Sequence, residues 1–247
     1  MLIKQLKVSG LLSFGPTGID LPLQNLNVLI GPNGSGKSNL LEVLALLRAA
    51  PKSLPSPVKE MGGVREWLWK GKDAPKEAVI DAVVTNPAKN MDLRHFLAIR
   101  EHGSRFEVAD EKIENEHAYS GKADAYFYYR YQRGHPVLFD FKDQKRKLKR
   151  EQVRPDESIL SQVKDTQSYP ALARLQAANG NILALLLDQK SAKDTADRIG
   201  QAIKETPALT GTAVGLSLAE DMSPGGSQPR RQVVVSTNEE AASMDQT

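Results

Sequence analysis

Eight consecutive residues, Gly31-Pro32-Asn33-Gly34-Ser35-Gly36-Lys37-Ser38, have the types and spacing of a phosphate-binding loop, G-x-x-x-x-G-K-[ST]. The three glycines let the backbone curl until successive N–H groups point inward at a phosphate. Lys37 places a positive charge where β- and γ-phosphates lie, and Ser38 offers a hydroxyl to Mg2+. Asn39 continues the chain into a helix, whose unpaired N-terminal amides and dipole also favour an anion. The expected phosphate-contacting set is Gly31, Pro32, Asn33, Gly34, Ser35, Gly36, Lys37, Ser38 and Asn39, with Ser38 as the metal-facing residue.

Such a loop works only between a strand and a helix. Residues 26–30, Leu-Asn-Val-Leu-Ile, form a short apolar run that reads as a buried strand. Residues 39–48 are rich in Leu, Ala and Glu and read as a helix, which must stop near Pro51. Ahead of the loop, residues 1–8 alternate as a strand does. Leu11-Leu12-Ser13-Phe14 breaks the pattern, and residues 19–23 read as a short edge strand that tolerates Pro22.

The 247 residues suffice for one large domain or two small ones. Hydrophobic and charged fractions of 40% and 26% are those of a globular protein. No apolar stretch is long enough for a bilayer, so no membrane partner is expected. The N-terminus lacks the plan of a secretion signal, and the absence of cysteine excludes disulfides and thiolate metal sites. A cytoplasmic location is the expectation. The net charge of +3 is too small to argue by itself for a nucleic-acid partner.

Beyond the loop, Pro51, Pro55 and Pro57 mark a loop region. Residues 62–69 hold both tryptophans, Trp67 and Trp69, which read as core anchors. Residues 77–150 read as strands joined by short turns, including one at His102-Gly103-Ser104, and hence as an antiparallel sheet. From about residue 156 to 206 the pattern is helical, with Asn181 as a cap for the best stretch, 181–205. From Pro207 the residues lose aromatics and periodicity, so 207–247 reads as a disordered or aberrant tail. Lys142, Lys145, Arg146, Lys147, Lys149, Arg150 and Arg154 form a basic run, read as a solvated hairpin. His95, His102, His117 and His135 lack metal-ligand spacing.

The succession of strand, Ser-Phe break, edge strand, apolar run, phosphate loop and helix resembles the N-terminal half of SMC/RecF-type ATPases, within the ABC-like group. The stretch Gly31 to Glu42 carries most of that likeness. Residues 63–69 and 156–162 resemble stretches of bacterial AAA-type ATPases with such a head, and no chemistry attaches to them. The resemblance implies an α/β fold, the P-loop NTPase head in its N-terminal lobe, over residues 1–206. An antiparallel β subdomain is expected at about 77–150 and a helical part at about 156–206. It implies ATP and Mg2+ as ligands, and a partner in the form of a head-to-head second copy or a C-terminal lobe.

Such heads also need an apolar strand ending in Asp-Glu, a Ser-Gly-rich signature and a switch His. Val137-Leu138-Phe139-Asp140 has the apolar-then-acid shape but continues into Phe141. Residues 233–240 end in Glu239-Glu240 after three polar residues, and residues 223–228 echo the signature faintly. The expectation is therefore an ATP-binding lobe, incomplete near Pro207, whose hydrolysis requires further elements. Alternatives are a non-catalytic nucleotide-gated or DNA-binding module, and a GTPase or nucleotide kinase. The last two lack a guanine-selecting element and an Arg-rich lid.

Overall fold

The computed structural model describes residues 3–24, 27, 29, 34–86, 91–132, 135–182, 214–221 and 230–237. It divides into two units, residues 1–25 with 38–184, and residues 26–37 with 185–247.

The first unit is organised by one eight-stranded antiparallel sheet. Its strands are β1 (Ile3–Ser9), β2 (Ile19–Pro22), β3 (Ala78–Val84), β4 (Leu93–His102), β5 (Arg105–Asn115), β6 (Phe127–Gln132), β7 (His135–Phe139) and β8 (Lys145–Lys147), in the order β2-β1-β3-β4-β5-β6-β7-β8. The strand pattern predicted at 77–150 is present, but it is not a separate sheet: β1 pairs antiparallel with β3 from Ile3↔Val84 to Ser9↔Val79. Pro22 closes the edge strand β2, where a missing N–H costs no ladder bond. The β4–β5 turn has Gly103 at φ 57° and Ser104 at φ 63°. Two left-handed residues match the twist of a two-residue hairpin.

Strand alternation separates two faces. On the core face Leu6, Ile80, Leu97 and Ile113 are fully buried and join one cluster with the buried side of helix α1 (Lys37–Ala49). The opposite face carries a charged ladder. Arg94 donates to both oxygens of Asp81 (2.8 and 2.6 Å) and to Glu114 (3.2 Å), and Arg130 donates to the other Glu114 oxygen (3.2 Å).

Helix α2 (Pro55–Glu60) stands where the prolines predict a loop. Pro55 and Pro57 fall in its first turn, where their missing N–H groups would be unpaired anyway. Helix α3 (Val64–Trp67) buries Trp67 completely. Its carbonyl accepts from Leu12 N–H (2.7 Å), and Trp69 N–H donates to Gly10 (2.9 Å). The stretch containing both tryptophans thus braces the Ser-Phe break, where Leu12 is held at φ 52°. Trp69 itself is only half-buried.

Helices α4 (Ile159–Gln162) and α5 (Pro170–Gly180) complete the unit. Asn181 closes α5: its N–H donates back to Ala177 and Ala178. The rest of the helical stretch expected at 181–205 lies outside the described residues, apart from Ile182.

Among the core-facing positions that hold polar residues where alternation calls for apolar ones are His95 on β4 and Glu111 on β5. Glu111 Oε1 accepts from Ser158 Oγ (2.5 Å) and lies 3.0 Å from His95 Nε2. Its Oε2 accepts from Ile159 N–H (2.8 Å), and Asn179 Nδ2 is 3.3 Å from His95 Nδ1. A second buried carboxyl, Glu157, accepts from Ser53 Oγ and Leu54 N–H at 3.1 Å each. Residues 156–162 therefore fasten α4 to the sheet and to the corner between α1 and α2.

In the second unit, strands β9 (Val214–Asp221) and β10 (Arg230–Thr237) pair antiparallel throughout, as a separate two-stranded sheet. Both strands fall within residues 207–247. Alternating Val214, Leu216 and Leu218 and the β-branched Val233, Val234 and Val235 favour the pairing.

Replacing Glu111 with Ala strands the Ser158 hydroxyl proton, the Ile159 N–H and His95 Nε2. At about 1–3 kcal/mol for each stranded buried group, the loss should exceed about 3 kcal/mol in urea unfolding. A change below about 1 kcal/mol would show that the network holds nothing together. Acid should act elsewhere as well. Burial pushes the Glu107 carboxyl up, but hydrogen bonds from Arg100 and His102 outweigh it and hold it below its ordinary value. A depressed carboxyl stabilises above its unfolded pKa and stops doing so as pH falls through its folded value. Glu107→Gln should therefore flatten the decline of the melting temperature below about pH 4.5.

Candidate functional site

Helix α1 begins at Lys37, at the end of the glycine-rich loop, as the motif requires. Within the loop Gly34 has φ 80° and Gly36 φ 88°, conformations that L side chains rarely adopt. Among the described residues no atom lies within 4 Å of where a Gly34 Cβ would stand, so it is the backbone conformation that calls for glycine there. Lys37 Nζ lies 3.3 Å from Ser35 Oγ.

Ser38 is exposed and Asn39 half-buried, before Leu40 turns into the core. The first turn of α1 contains no acidic residue. Its N-terminal amides and positive dipole end thus face no negative side chain of their own helix. Of the nine expected phosphate-contacting residues, Gly34, Ser35, Gly36, Lys37, Ser38 and Asn39 are described. Gly31, Pro32 and Asn33 lie outside the described residues, as do Leu26, Val28 and Ile30 of the expected preceding strand.

The expected acids fare differently. Asp140 Oδ1 accepts from the N–H groups of Lys142 and Gln144, both at 2.8 Å, so its carboxyl caps the β7–β8 turn. The turn is held further by Phe141 N–H on the Ser168 carbonyl (2.9 Å) and by Tyr126 OH on Asp143 (2.5 Å). Asp140 is thus occupied with local backbone, as Asp often is beside a turn. Glu239, Glu240 and residues 223–228 lie outside the described residues.

The histidines scatter. His95 is buried against Glu111, His102 is bonded to Glu107, and His117 and His135 are exposed. Among the described residues no three His, Asp or Glu side chains are grouped to hold a metal ion. No described helix is long and apolar enough to cross a membrane.

The stretch 156–162, to which the sequence attached no chemistry, turned out to be structural. Its signal is Ser158 as an N-cap: the side chain accepts from Leu160 N–H (3.1 Å) at the start of α4. What the chain alone does not show is that two buried carboxyls, one 47 residues away, close on the same turn.

With this geometry in place, comparison with known proteins fixes the class. The family described as "AAA domain, putative AbiEii toxin, Type IV TA system" matches residues 26–227. The chain belongs to this family and is an AAA-type P-loop ATPase domain. No curated protein matches. Among solved structures, one from work titled "Structural biochemistry of ATP-driven dimerization and DNA stimulated activation of SMC ATPases" is similar at 16% identity. The match covers 82% of this chain and 99% of that one, with a TM-score of 0.40.

Because Asp140 is committed to its turn, Asp140→Ala should cost about 1 kcal/mol of stability and leave nucleotide affinity unchanged. Calorimetric titration with ATP checks this. Weaker ATP binding in that variant would return Asp140 to the nucleotide site.

Proposed function

We propose that the chain binds ATP together with Mg2+ through residues 31–39, as a nucleotide-dependent switch. The observation that carries the reading is the loop running into α1. Two left-handed glycines, a lysine and a hydroxyl stand at the start of a 13-residue helix free of acid in its first turn. Exposed amides, positive charge and open space are what a triphosphate needs. The donor set also suits the metal. Ser38 is a hard oxygen ligand, and Mg2+ is held by few protein oxygens together with substrate phosphates. Bound there, the metal would neutralise phosphate charge and add electrophilic assistance to phosphoryl transfer.

In this reading Lys37 carries its charge to the β- and γ-phosphates, the loop amides fix the β-phosphate, and Ser38 orients the metal. Hydrolysis asks in addition for a group that positions water and for charge at the γ-phosphate, worth on the order of 10³–10⁵ in rate where an arginine supplies it. A second copy meeting this one head to head would be the source of the latter. ATP binding therefore exceeds turnover in the single chain.

Lys37→Ala removes the charge and keeps the glycines. ATP affinity in calorimetry should fall at least about tenfold, about 1.4 kcal/mol. Ser38→Ala should reduce mainly the gain in affinity that Mg2+ gives over EDTA. Equal affinity of Lys37→Ala and parent would refute the assignment. A preference for GTP over ATP in the same titration would replace the nucleotide.

A further inference from the structure

The far edge of the large sheet has a surface that the nucleotide site does not use. Residues directly opposite in an antiparallel pair share a face. Phe139 stands opposite Lys145 and Val137 opposite Lys147, while Arg130 stands opposite Val137. At the β5–β6 register shift Phe127 comes opposite Glu114, on this same outer face. The Phe127 and Phe139 rings meet edge to face at 5.0 Å, and Arg130 lies 4.3 Å above Phe127. Both rings are half-exposed. Lys145 and Lys147 are exposed, with no ion-pair partner among the described residues.

Charge points the same way. Residues 140–154 contain seven Lys or Arg against three Asp or Glu, a surplus larger than the net +3 of the whole chain. Two of those three acids, Asp140 and Asp143, are spent on the turn. The turn itself is tied by hydrogen bonds to Asp140, Asp143 and the Ser168 carbonyl. Lysines on an edge strand also deter pairing with another sheet, but that purpose does not require aromatic rings beside them.

We propose that the outer face of β6–β8 docks single-stranded nucleic acid, with bases stacking on Phe127 and Phe139 and phosphates tracking Lys145 and Lys147. Half-exposed rings on a sheet, framed by cations, are the arrangement that binds unpaired bases regardless of sequence. A duplex offers its phosphates but keeps its base faces stacked inside, so it can use only the lysines.

The test is fluorescence anisotropy with labelled oligodeoxythymidylate and oligouridylate of roughly 15 nucleotides, near the upper end of known site sizes. A duplex of equal length is the comparison, without ATP. Single strands should bind at least about tenfold tighter than the duplex. The Lys145→Ala/Lys147→Ala pair should weaken binding about tenfold and lower the slope of log affinity against log salt by about 1.4. Phe139→Leu should weaken it with the slope unchanged, and Phe139→Tyr should restore it. Should Phe139→Leu fail to fold, the lysine pair on the exposed edge decides alone. Lys37→Ala should bind oligonucleotide like the parent, so failure of the ATP reading leaves this one standing. No binding to either single strand, equal or tighter binding of the duplex, or indifference to the lysine pair would each overturn it.

Discussion

A carboxyl group set in the apolar layer beneath a sheet must find a partner for each oxygen, because water cannot reach it and leaving it bare is costly. Glu111 meets that requirement with three donors from two distant parts of the chain, His95 from the neighbouring strand and Ser158 with Ile159 from the start of α4. Each partner is itself fixed. Asn179 on α5 reaches the other nitrogen of His95, and Gln176 on the same helix donates to the carbonyls of Leu160 and Val163 at the end of α4. One buried carboxyl therefore decides where both helices lie on the sheet. An apolar residue at position 111 would pack as well, but would not dictate which turn of which helix sits over it.

The same turn of chain faces a second requirement from the other side. Leu54, the residue before α2, has no side-chain cap, and Pro55 cannot donate. Its N–H goes to Glu157, which also takes the Ser53 hydroxyl. Glu157 and Ser158 are adjacent, so the α1–α2 corner and the sheet are tied to consecutive residues. Helix α1 is thereby anchored at the end opposite the glycine-rich loop. A phosphate-binding loop needs a helix that does not slide when charge arrives at its N-terminus. The anchor and the buried face formed by Leu40, Val43, Leu46 and Leu47 provide it.

Legibility in the sequence followed the range of the forces involved. Local signals served well for the strands. Alternation located β1, Pro22 marked the edge, and Gly103 marked the hairpin. Pro55 and Pro57 misled because proline stops a helix everywhere except in the first turn. The pairing of β1 with β3 and the closure of Glu111 on Ser158 were not legible. Both join residues tens of positions apart, and nothing in either local segment specifies its partner.

The two faces of the sheet divide the work. The inner face spends its His95–Glu111 pair on positioning helices. From β3 to β6 the outer face carries charges that cancel: Asp81, Arg94, Glu114 and Arg130 run across four strands with both guanidinium groups on carboxylates. Such a ladder holds strands in register and presents no net field. Beyond Arg130 the cancellation stops, for β7 supplies Val137 and Phe139, and β8 supplies only cations. Self-contained folding calls for no such change at the edge, since continuing the ladder would have kept the surface neutral and soluble. The face is thus balanced across its middle strands, and towards the edge it joins half-buried rings to lysines with no ion-pair partner among the described residues.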